Sequence, residues 1–164
     1  MFVCHGNICR SPMAEFIAKH IVRSLNLEND YIIASSATSI EELGNPIYPP
    51  AKRELYRRGI PFSEREAVKL SPGDYAKYDL FALMDERNMR NIGRIFSGDP
   101  DGKIKKLLSF AGEDRDVFDP WYSGDFVAAF NDIAKGVIAL LCSIDGRIAE
   151  SSIRQIKELS DIMK

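Results

Sequence analysis

The sequence predicts an α/β fold, in which a central four-stranded parallel sheet carries helices on both of its faces. One observation behind this prediction is that short apolar runs of strand length alternate with segments whose apolar residues recur every three to four positions. A second is that helical segments separate the apolar runs, as in βαβ units, whose strands are parallel. A third is length, since 164 residues suit a single core, and we predict one domain over residues 1–164.

Each element of the first half follows from its own stretch of sequence. Strand-forming residues and helical periodicity predict a strand at 2–3, a helix at 12–27, a strand at 31–36 and a helix at 51–58. Prolines at 46–50 mark a loop before the second helix. Gly59 is expected to end that helix, because glycine readily takes the left-handed conformation of a helix end.

The second half continues the alternation. Its predicted elements are a strand at 80–84, a helix at 86–96, a turn at 97–102, a strand at 105–110 and a long helix from about residue 124. The run at 80–84 is apolar without alternation, which is typical of a strand buried on both faces. Asp145-Gly146 breaks the long helix, and residues 147–163 predict an extra C-terminal helix in the segment 145–164.

Composition and charge narrow the possible functions. A net charge of −2 gives no reason to expect nucleic acid or an acidic membrane as a partner. The longest apolar run, at 137–142, is too short to cross a bilayer, and the N-terminus does not resemble a signal peptide. Three cysteines, an odd number, favour a reducing cytoplasm over a disulfide scaffold. With two histidines and no clustered ligands, we expect neither a metal nor a cofactor.

Residues 4–12, which read Cys-His-Gly-Asn-Ile-Cys-Arg-Ser-Pro, carry most of the functional information. Cys4 directly follows the first strand, and Arg10 stands six positions later, just before the first predicted helix. A loop in this position can wrap an oxyanion, because its amides point inward and the helix N-terminus adds partial positive charge. A guanidinium can also grip two phosphate oxygens in a planar fork. The order therefore predicts a cysteine nucleophile in a phosphate-binding loop.

Other residues of this loop suit the same chemistry. Gly6 and Asn7 tolerate the positive φ that a tight ring of amides needs. Ser11 and Pro12 are expected to be the N-cap and the first residue of the helix. The Ser11 hydroxyl can also hydrogen-bond the sulfur of Cys4. Inward amides, the helix end and the guanidinium should favour the thiolate, which is the reactive form of cysteine.

Phosphate-ester cleavage also needs a general acid to protonate the leaving oxygen. Two Asp-Pro pairs compete for this role, at Asp99 and Asp119. Asp99 lies in a turn without apolar neighbours, which indicates a solvated loop. Asp119 precedes Trp121, Tyr122 and a long helix, so that it can be held beside an aromatic wall, and we predict that it is the acid. The two aromatics are candidates to pack against a substrate ring, with core filling as the alternative, and one of them is expected to be exposed.

The loop resembles the signature of the low-molecular-weight protein tyrosine phosphatases. Further motifs of that family follow in order along residues 2–141: Ala37-Thr38-Ser39, Gly44-Asn45-Pro46, Met84-Asp85-Glu86-Arg87-Asn88 and Asp119-Pro120-Trp121-Tyr122. The resemblance implies hydrolysis of protein phosphotyrosine and small aryl phosphates through a cysteinyl-phosphate intermediate. In that reaction Cys4 would be the nucleophile, Arg10 would bind the phosphoryl oxygens and Asp119 would be the acid.

The resemblance also implies which residues surround the substrate and which partners it has. The phosphate and substrate site would comprise His5, Gly6, Asn7, Ile8, Cys9, Ser11, Glu41, Trp121 and Tyr122. Asn7 would hold the shape of the loop. Cys9 is either inert filler or a redox partner, since in the family the corresponding pair can form a disulfide that protects the nucleophile. The partners would be a phosphotyrosine-containing protein or peptide and product phosphate, with no nucleic acid or membrane, for a monomer or weak dimer.

The sequence departs from the family pattern at three positions. Glu41 stands near the place of the usual aromatic residue in the loop after Ala37-Thr38-Ser39, so that one side of the slot would be a carboxylate. This predicts narrower use of phosphopeptides, with a preference for basic flanking residues. His5 replaces an aliphatic residue at the rim. Glu64 is the nearest match to a histidine that supports the loop, so that support is expected to be rearranged.

Two other activities could use the same loop. A protein arginine phosphatase of this fold characteristically has threonine where Ile8 stands, and the apolar Ile8 favours phosphotyrosine. A phosphocarrier or phosphate-sensing module would hold cysteinyl-phosphate without hydrolysing it. Such a module would have no need of Asp119 together with Arg10. Hydrolysis of an aryl phosphate separates the enzyme from the carrier.

Overall fold

Four short strands form one parallel sheet in the order β2-β1-β3-β4. The computed structural model describes residues 1–156. The strands are β1 (Phe2–Cys4), β2 (Ser35–Ala37), β3 (Phe81–Leu83) and β4 (Ile104–Lys106). In the register of the sheet, Cys4 lies opposite Ala37, and Val3 lies opposite Leu83. Since β1 has a neighbour on each side, the residues that follow it leave the sheet near its centre.

The helices of the described residues connect these strands and cover them. They are α1 (Arg10–Ser24), α2 (Pro49–Arg57), α3 (Asp74–Lys77), α4 (Glu86–Ile92), α5 (Pro120–Ser123), α6 (Phe126–Ile144) and α7 (Glu150–Ile153). Two 3₁₀ segments, Glu28–Asp30 and Leu107–Ala111, add single turns. The four-residue helices α3 and α5 were not predicted, because four residues are too few to show a helical repeat.

Side chains of the strands alternate between two hydrophobic clusters, one on each face of the sheet. Phe2 and Cys4 belong to the larger cluster, together with buried residues of α1 and α6 such as Ile17 and Phe130. Val3 belongs to the smaller cluster, with Phe81 and Leu83 of β3 and residues of α4. Helices therefore pack on both faces, and the predicted fold class is confirmed.

The long helix α6 is apolar and long enough to cross a membrane by length and composition alone. About half of it is buried in the structure, where it packs against α1 and the 3₁₀ segment Leu107–Ala111. That is the usual environment of a core helix, for which the same composition is required. The packing thus explains the apolar sequence of α6.

The strands β2, β3 and β4 are shorter than the sequence predicts, because the three residues of β1 limit how far β2 and β3 can pair, and β4 pairs only with β3. The strand predicted at 31–36 is reduced to β2 at its C-terminal end, and the strand predicted at 105–110 turns into a 3₁₀ segment after Lys106. Residues outside the paired register have no ladder to join. Strand propensity alone could not show this.

Helix boundaries also differ from the predictions, for local reasons. The helix predicted at 86–96 ends at Ile92, with Gly93 as its C-cap. The prolines at 49 and 50 are the first residues of α2 rather than part of a loop, because proline needs no amide partner in a first turn. Of the helix predicted at 147–163, only Glu150–Ile153 is helical within the described residues, and the part from 157 onward lies outside them. That the chain is one domain stays a prediction.

Candidate active site

The loop from Cys4 to Arg10 lies at the carboxyl end of the central strand β1. From β1 the chain passes to β2 on one side, and β3 pairs on the other side, so the strand order reverses at this point. Such a switch point leaves a crevice at the carboxyl edge of a parallel sheet, where ligands of α/β proteins bind. The backbone amides of Thr38 and Ser39, which follow β2, donate to the carbonyls of Cys4 and His5. The loop after β2 is thereby held against the loop after β1.

The sulfur of Cys4 is buried at the base of this loop. The Ser11 hydroxyl lies 3.0 Å from it, and the Asn7 amide donates to it at 3.3 Å. Within the described residues, the amides of Gly6, Ile8, Cys9 and Arg10 donate to no protein group. The first amides of α1 are likewise without intrahelical acceptors, as at any helix start. The loop thus surrounds a thiol with donors that an oxyanion can use.

The prediction that Ser11 caps the first helix is wrong. The helix begins at Arg10, Cys9 occupies the cap position, and no side chain makes a capping hydrogen bond there. Ser11 lies inside the first turn, where its hydroxyl contacts the Cys4 sulfur and accepts a hydrogen bond from Asn7 at 2.9 Å. A side-chain cap would occupy the very amides that the loop leaves open, which explains why this helix start has none.

Asn7 adopts the left-handed backbone conformation, with φ of 58°, and its side-chain amide makes all the hydrogen bonds available to it. Its nitrogen donates to the hydroxyls of Ser11 and Ser35, each at 2.9 Å. Its oxygen accepts from the guanidinium of Arg65 at 2.7 Å and from the Val68 amide at 3.1 Å. Four bonds satisfy all the hydrogen-bonding capacity of an asparagine side chain. These bonds offset the cost of the strained backbone at Asn7 and direct its backbone amide at the Cys4 sulfur.

Gly6 is required for space rather than for backbone conformation. Its φ is not positive, whereas Asn7 carries the left-handed turn. A Cβ at Gly6 would stand 3.0 Å from Cγ of Glu42, whose side chain lies over the loop. The glycine therefore allows the loop after β2 to approach the phosphate-binding loop closely.

Arg65 supports the loop from behind, and the sequence did not reveal it. Its guanidinium donates to Asn7 and, at 2.9 Å, to Ser35, whose hydroxyl in turn donates to the buried carboxylate of Glu15 at 2.6 Å. The expected residue, Glu64, is instead exposed and paired with Lys52. No spacing in the sequence links residue 65 to residue 7, since the contact depends on how the segment after α2 returns to the sheet.

We predict that Arg65→Met lowers kcat for aryl phosphates about tenfold, the effect of losing about 1.4 kcal/mol of a charge-assisted hydrogen bond to Asn7. KM should change less than kcat, because the phosphate donors remain and only the aim of the Asn7 amide is lost. Arg65→Lys should restore part of kcat. The matched control is Arg23→Met, which removes an exposed arginine in the last turn of α1. A fall confined to thermal stability, with kcat and KM both unchanged, would contradict this role for Arg65.

Arg10 is buried, with 2 % of its side chain exposed, and its guanidinium is held at both ends. One nitrogen donates to Asp85 at 2.7 Å and to the carbonyl of Val117 at 3.0 Å, and the other donates to Asp119 at 2.8 Å. Burial acts to lower the pKa of Arg10, but the nearby Cys4, Asp119 and Asp85 outweigh it and raise that pKa. The guanidinium is thus a fixed cation at the start of α1.

Asp85 also caps α4, so one carboxylate joins two elements of the site. Its other oxygen accepts from the Asn88 amide at 2.7 Å, and the Asn88 side chain accepts from the Asp85 amide in return. This capping box fixes the carboxylate that orients Arg10. The sequence shows the motif around Asp85 but not its contact with Arg10.

The two candidate acids occupy different places. Asp119 is the N-cap of α5, where one oxygen accepts from the Trp121 amide at 3.1 Å and the other from Arg10. It lines the same cavity as Cys4. Asp99 is not merely solvated, because it accepts hydrogen bonds from the Tyr75 hydroxyl and the amides of Lys103 and Ile104. Asp99 organises its own turn and does not line the cavity.

The cavity above Cys4 has a volume of about 140 Å³. Its lining comprises Cys4, His5, Gly6, Asn7, Ile8, Cys9, Arg10, Glu41, Glu42, Asp119, Trp121 and Tyr122. Trp121 is 51 % exposed and Tyr122 is 75 % exposed, so both aromatics project from the surface rather than filling the core. Trp121 packs on Tyr48, with ring centroids 5.0 Å apart, and this contact steadies the aromatic wall. The cavity is a slot with a phosphate loop at its base.

The wall opposite the aromatics is formed by the loop after β2. The carboxylate of Glu41 lies 2.7 Å from Nε2 of His5, and the hydrogen bond from His5 lowers the pKa of Glu41 below its ordinary value. Glu42 lies over Gly6 and accepts from Asn45 at 2.7 Å. The structure thus places two of the three departures from the family pattern, His5 and Glu41, on one side of the slot.

The three cysteines of the chain are free thiols. Cys9 is buried beside Ile8, and burial, followed by the neighbouring Cys4 and Asp119, raises the pKa of its thiol. The protein environment therefore favours the neutral thiol at Cys9, in contrast to the ring of donors around Cys4. A redox role for Cys9 stays a prediction. Among residues 1–156, no group of three or more His, Cys, Asp or Glu side chains could hold a metal ion.

The site combines a thiol, unpaired backbone amides, a buried arginine and a carboxylate at the switch point of a parallel sheet. This combination is typical of a cysteine-dependent phosphatase. A sequence profile described as low molecular weight phosphotyrosine protein phosphatase matches residues 1–151. The chain belongs to the low-molecular-weight phosphotyrosine protein phosphatase family, as its sequence motifs predict.

Individual relatives agree with this assignment. The chain is 34 % identical over 146 residues to the low molecular weight protein-tyrosine-phosphatase YfkJ of Bacillus subtilis, a match that covers 88 % of this chain and 94 % of that one. It is 35 % identical over 128 residues to the human low molecular weight phosphotyrosine protein phosphatase, covering 76 % and 80 %. The crystal structure of YfkJ superposes with a TM-score of 0.83 over 87 % of this chain and 91 % of that one. The Drosophila arginine phosphatase DARP superposes with a TM-score of 0.78 at 28 % identity, over 87 % and 94 %.

Proposed function

We propose that this protein hydrolyses phosphotyrosine in proteins or peptides, and small aryl phosphates, through a cysteinyl-phosphate on Cys4. The observation that carries the proposal is the joint position of Cys4, Arg10 and Asp119 in one slot with an exposed aromatic wall. The phosphate loop accounts for the phosphoryl group, and Trp121 and Tyr122 account for an aromatic leaving group.

In the first step, the phosphoryl oxygens accept hydrogen bonds from the open amides of the loop and from Arg10. Arg10 then exchanges its bond to Asp119 for bonds to the phosphoryl group, and the Asp119 carboxyl is released toward the leaving oxygen. The Cys4 thiolate attacks phosphorus, the phosphorus–oxygen bond to the phenol breaks, and Asp119 gives its proton to the departing oxygen. The product is phenol and a cysteinyl-phosphate.

In the second step, a water molecule attacks phosphorus from the side that the phenol has left. Asp119, now a carboxylate, accepts a proton from this water, and the sulfur–phosphorus bond breaks. The Ser11 hydroxyl, 3.0 Å from the sulfur, can donate to it and stabilise the thiolate as it leaves. Inorganic phosphate is released and Cys4 returns to its initial state.

The test is hydrolysis, without added metal, of p-nitrophenyl phosphate and of peptides that carry phosphotyrosine, phosphoserine or phosphoarginine. We expect turnover of the aryl phosphate and of phosphotyrosine, with kcat/KM at least about 10²-fold higher for phosphotyrosine than for the other peptides, because only phosphotyrosine presents an aromatic ring to the wall formed by Trp121 and Tyr122. Stable phosphorylation of Cys4 without phosphate release would indicate a carrier instead.

Phosphoarginine is in the panel because DARP, a structure similar to this chain, is an arginine phosphatase. Ile8 of this chain is buried beside Cys9 and Ala67 and offers no hydroxyl to a guanidinium. A preference for phosphoarginine over phosphotyrosine would overturn the proposed substrate class while leaving the cysteinyl-phosphate chemistry intact.

Further parts of the proposal concern the setting of the enzyme. We propose that residues 1–164 act as one phosphatase domain, in the cytoplasm, as a monomer or weak dimer, without metal or other cofactor. The reducing environment suits a mechanism that depends on a free Cys4 thiolate. Neither nucleic acid nor a membrane is proposed as a partner.

A further inference from the structure

We propose that the rim of the slot is bipolar, acidic at Glu41 and basic at Arg53, and that it selects phosphotyrosine peptides by the order of their flanking charges. This inference rests on the proposed function, because the phosphoryl group must enter the slot for flanking residues to reach the rim. It goes beyond a simple preference for basic peptides, which Glu41 alone predicts.

On the acidic side, two carboxylates face the slot. The Glu41 side chain is 67 % exposed, so a substrate cation can reach it while one of its oxygens stays bonded to His5. The other carboxylate oxygen of Glu41 makes no hydrogen bond or ion pair with residues 1–156. Glu42 adds a second carboxylate, and Arg87 is the cation that acts on Glu41 from nearby.

On the other side, a groove of about 410 Å³ begins behind Trp121, which lines both the groove and the slot. Helix α2 forms its far wall and starts directly after Tyr48, whose amide donates to the carbonyl of Ile8 in the phosphate loop at 2.9 Å. Arg53 is five residues further on, about 7.5 Å along the helix. The groove therefore adjoins the slot at Trp121 and is within reach of a residue that flanks phosphotyrosine.

Arg53 is the available cation of this groove. It is exposed and has no carboxylate within ion-pair distance among residues 1–156. Arg57 also lines the groove, but Glu54 binds it at 3.2 Å and binds Arg58 at 2.9 Å. Asp125 also lines the groove, but one of its oxygens accepts from the Ala128 amide as the N-cap of α6, where the positive end of the helix offsets part of its charge. A flanking carboxylate of the substrate would therefore meet Arg53.

Two peptides of identical composition test the proposal: Lys-Lys-phosphotyrosine-Glu-Glu and Glu-Glu-phosphotyrosine-Lys-Lys. Their net charges are equal, so a rim with the same charge on both sides treats them alike, whereas a bipolar rim attracts both flanks of one peptide and repels both flanks of the other. We expect kcat/KM to differ about fivefold between them at low ionic strength, from exposed pairs of the usual strength. The ratio should fall toward one in about 0.5 M salt, where such pairs are screened.

Variants assign the effect to its residues. Glu41→Gln and Arg53→Gln should each reduce the ratio, and the double variant should bring it close to one. Matched controls that remove the same charges elsewhere, Glu28→Gln and Arg23→Gln, should preserve it. Equal kcat/KM for the two orders in the unaltered protein, or a ratio insensitive to either Glu41→Gln or Arg53→Gln, would overturn the bipolar rim.

The Kd of the same two peptides for the Cys4→Ser variant measures the effect of the rim on binding alone, without turnover. If the unaltered protein hydrolyses neither the phosphotyrosine peptides nor p-nitrophenyl phosphate, the proposed function fails. A persisting difference in Kd between the two orders would even then support the rim, and equal or absent binding would contradict it.

Discussion

Replacing Cys4 with serine is expected to lower kcat for p-nitrophenyl phosphate and for phosphotyrosine peptides about 10⁴-fold or more, the usual cost of removing a catalytic nucleophile. A serine hydroxyl at the end of β1 would meet the same two hydrogen-bond partners, and neither of them is a base that could remove its proton. Its nearest neighbours are the Ser11 hydroxyl and the Asn7 amide, which are donors suited to an existing anion. The thiolate needs no base at the moment of attack, whereas an alcohol does.

The Cys4→Ser variant should still bind phosphate, because the open amides and Arg10 do not depend on the sulfur. Protection of the variant against thermal unfolding by phosphate measures this directly. Cys142→Ser is the matched control, since Cys142 lies on α6 at the edge of the core and outside the slot, and it should keep full activity. Residual turnover of Cys4→Ser above about one hundredth of the normal kcat would exclude Cys4 as the nucleophile.

Much of the fold could be predicted because its determinants are local. The helical repeat that begins with Met13 and Phe16, and the unbroken apolar run at 80–84, report burial directly, and they sufficed for the sheet and its covering helices. The strand ends could not be predicted, because β2 pairs only as far as the three residues of β1 allow. Pairing is a property of two segments, and the sequence of one of them does not contain it.

The residues of the candidate site also differ in whether their contacts are local or distant in the sequence. Cys4 and Arg10 lie in one short loop, where spacing alone brings a nucleophile and a cation together. Asp85 and Arg65 reach this loop from positions 75 and 58 residues away, and although a motif includes Asp85, no local pattern shows that either residue contacts the loop. Ser11 shows the converse error, since its sequence context favours a cap, but the loop needs its helix amides open for the substrate. Function overrode the usual local preference at that residue.

Replacing Asp119 with alanine is expected to lower kcat about 10²- to 10³-fold for phenyl phosphate and phosphotyrosine, the usual contribution of a general acid. For a dinitrophenyl phosphate, whose leaving group departs without a proton, the loss should be less than about tenfold in the same step. The reason is geometric, because Asp119 shares the slot with Cys4 and stands over Arg10, where the leaving oxygen must pass. A plot of rate against the acidity of the leaving phenol should therefore be steeper for the variant than for the unaltered protein.

The second Asp-Pro pair supplies the matched control for this experiment. Asp99→Ala removes a carboxylate that ties together the turn before β4, through Tyr75 and two backbone amides, and that does not line the slot. The Asp99→Ala variant should lower the stability of the protein, while the dependence of its rate on the acidity of the leaving phenol should stay unchanged. Equal losses in Asp119→Ala for phenyl and dinitrophenyl phosphate would mean that Asp119 acts by orienting Arg10, to which it is bonded at 2.8 Å, rather than by transferring a proton. The variant Asp119→Asn separates these two roles. Its side chain keeps a hydrogen-bond acceptor for Arg10 but has no acidic proton to give. If Asp119 is the general acid, this variant should show the same steeper plot as Asp119→Ala.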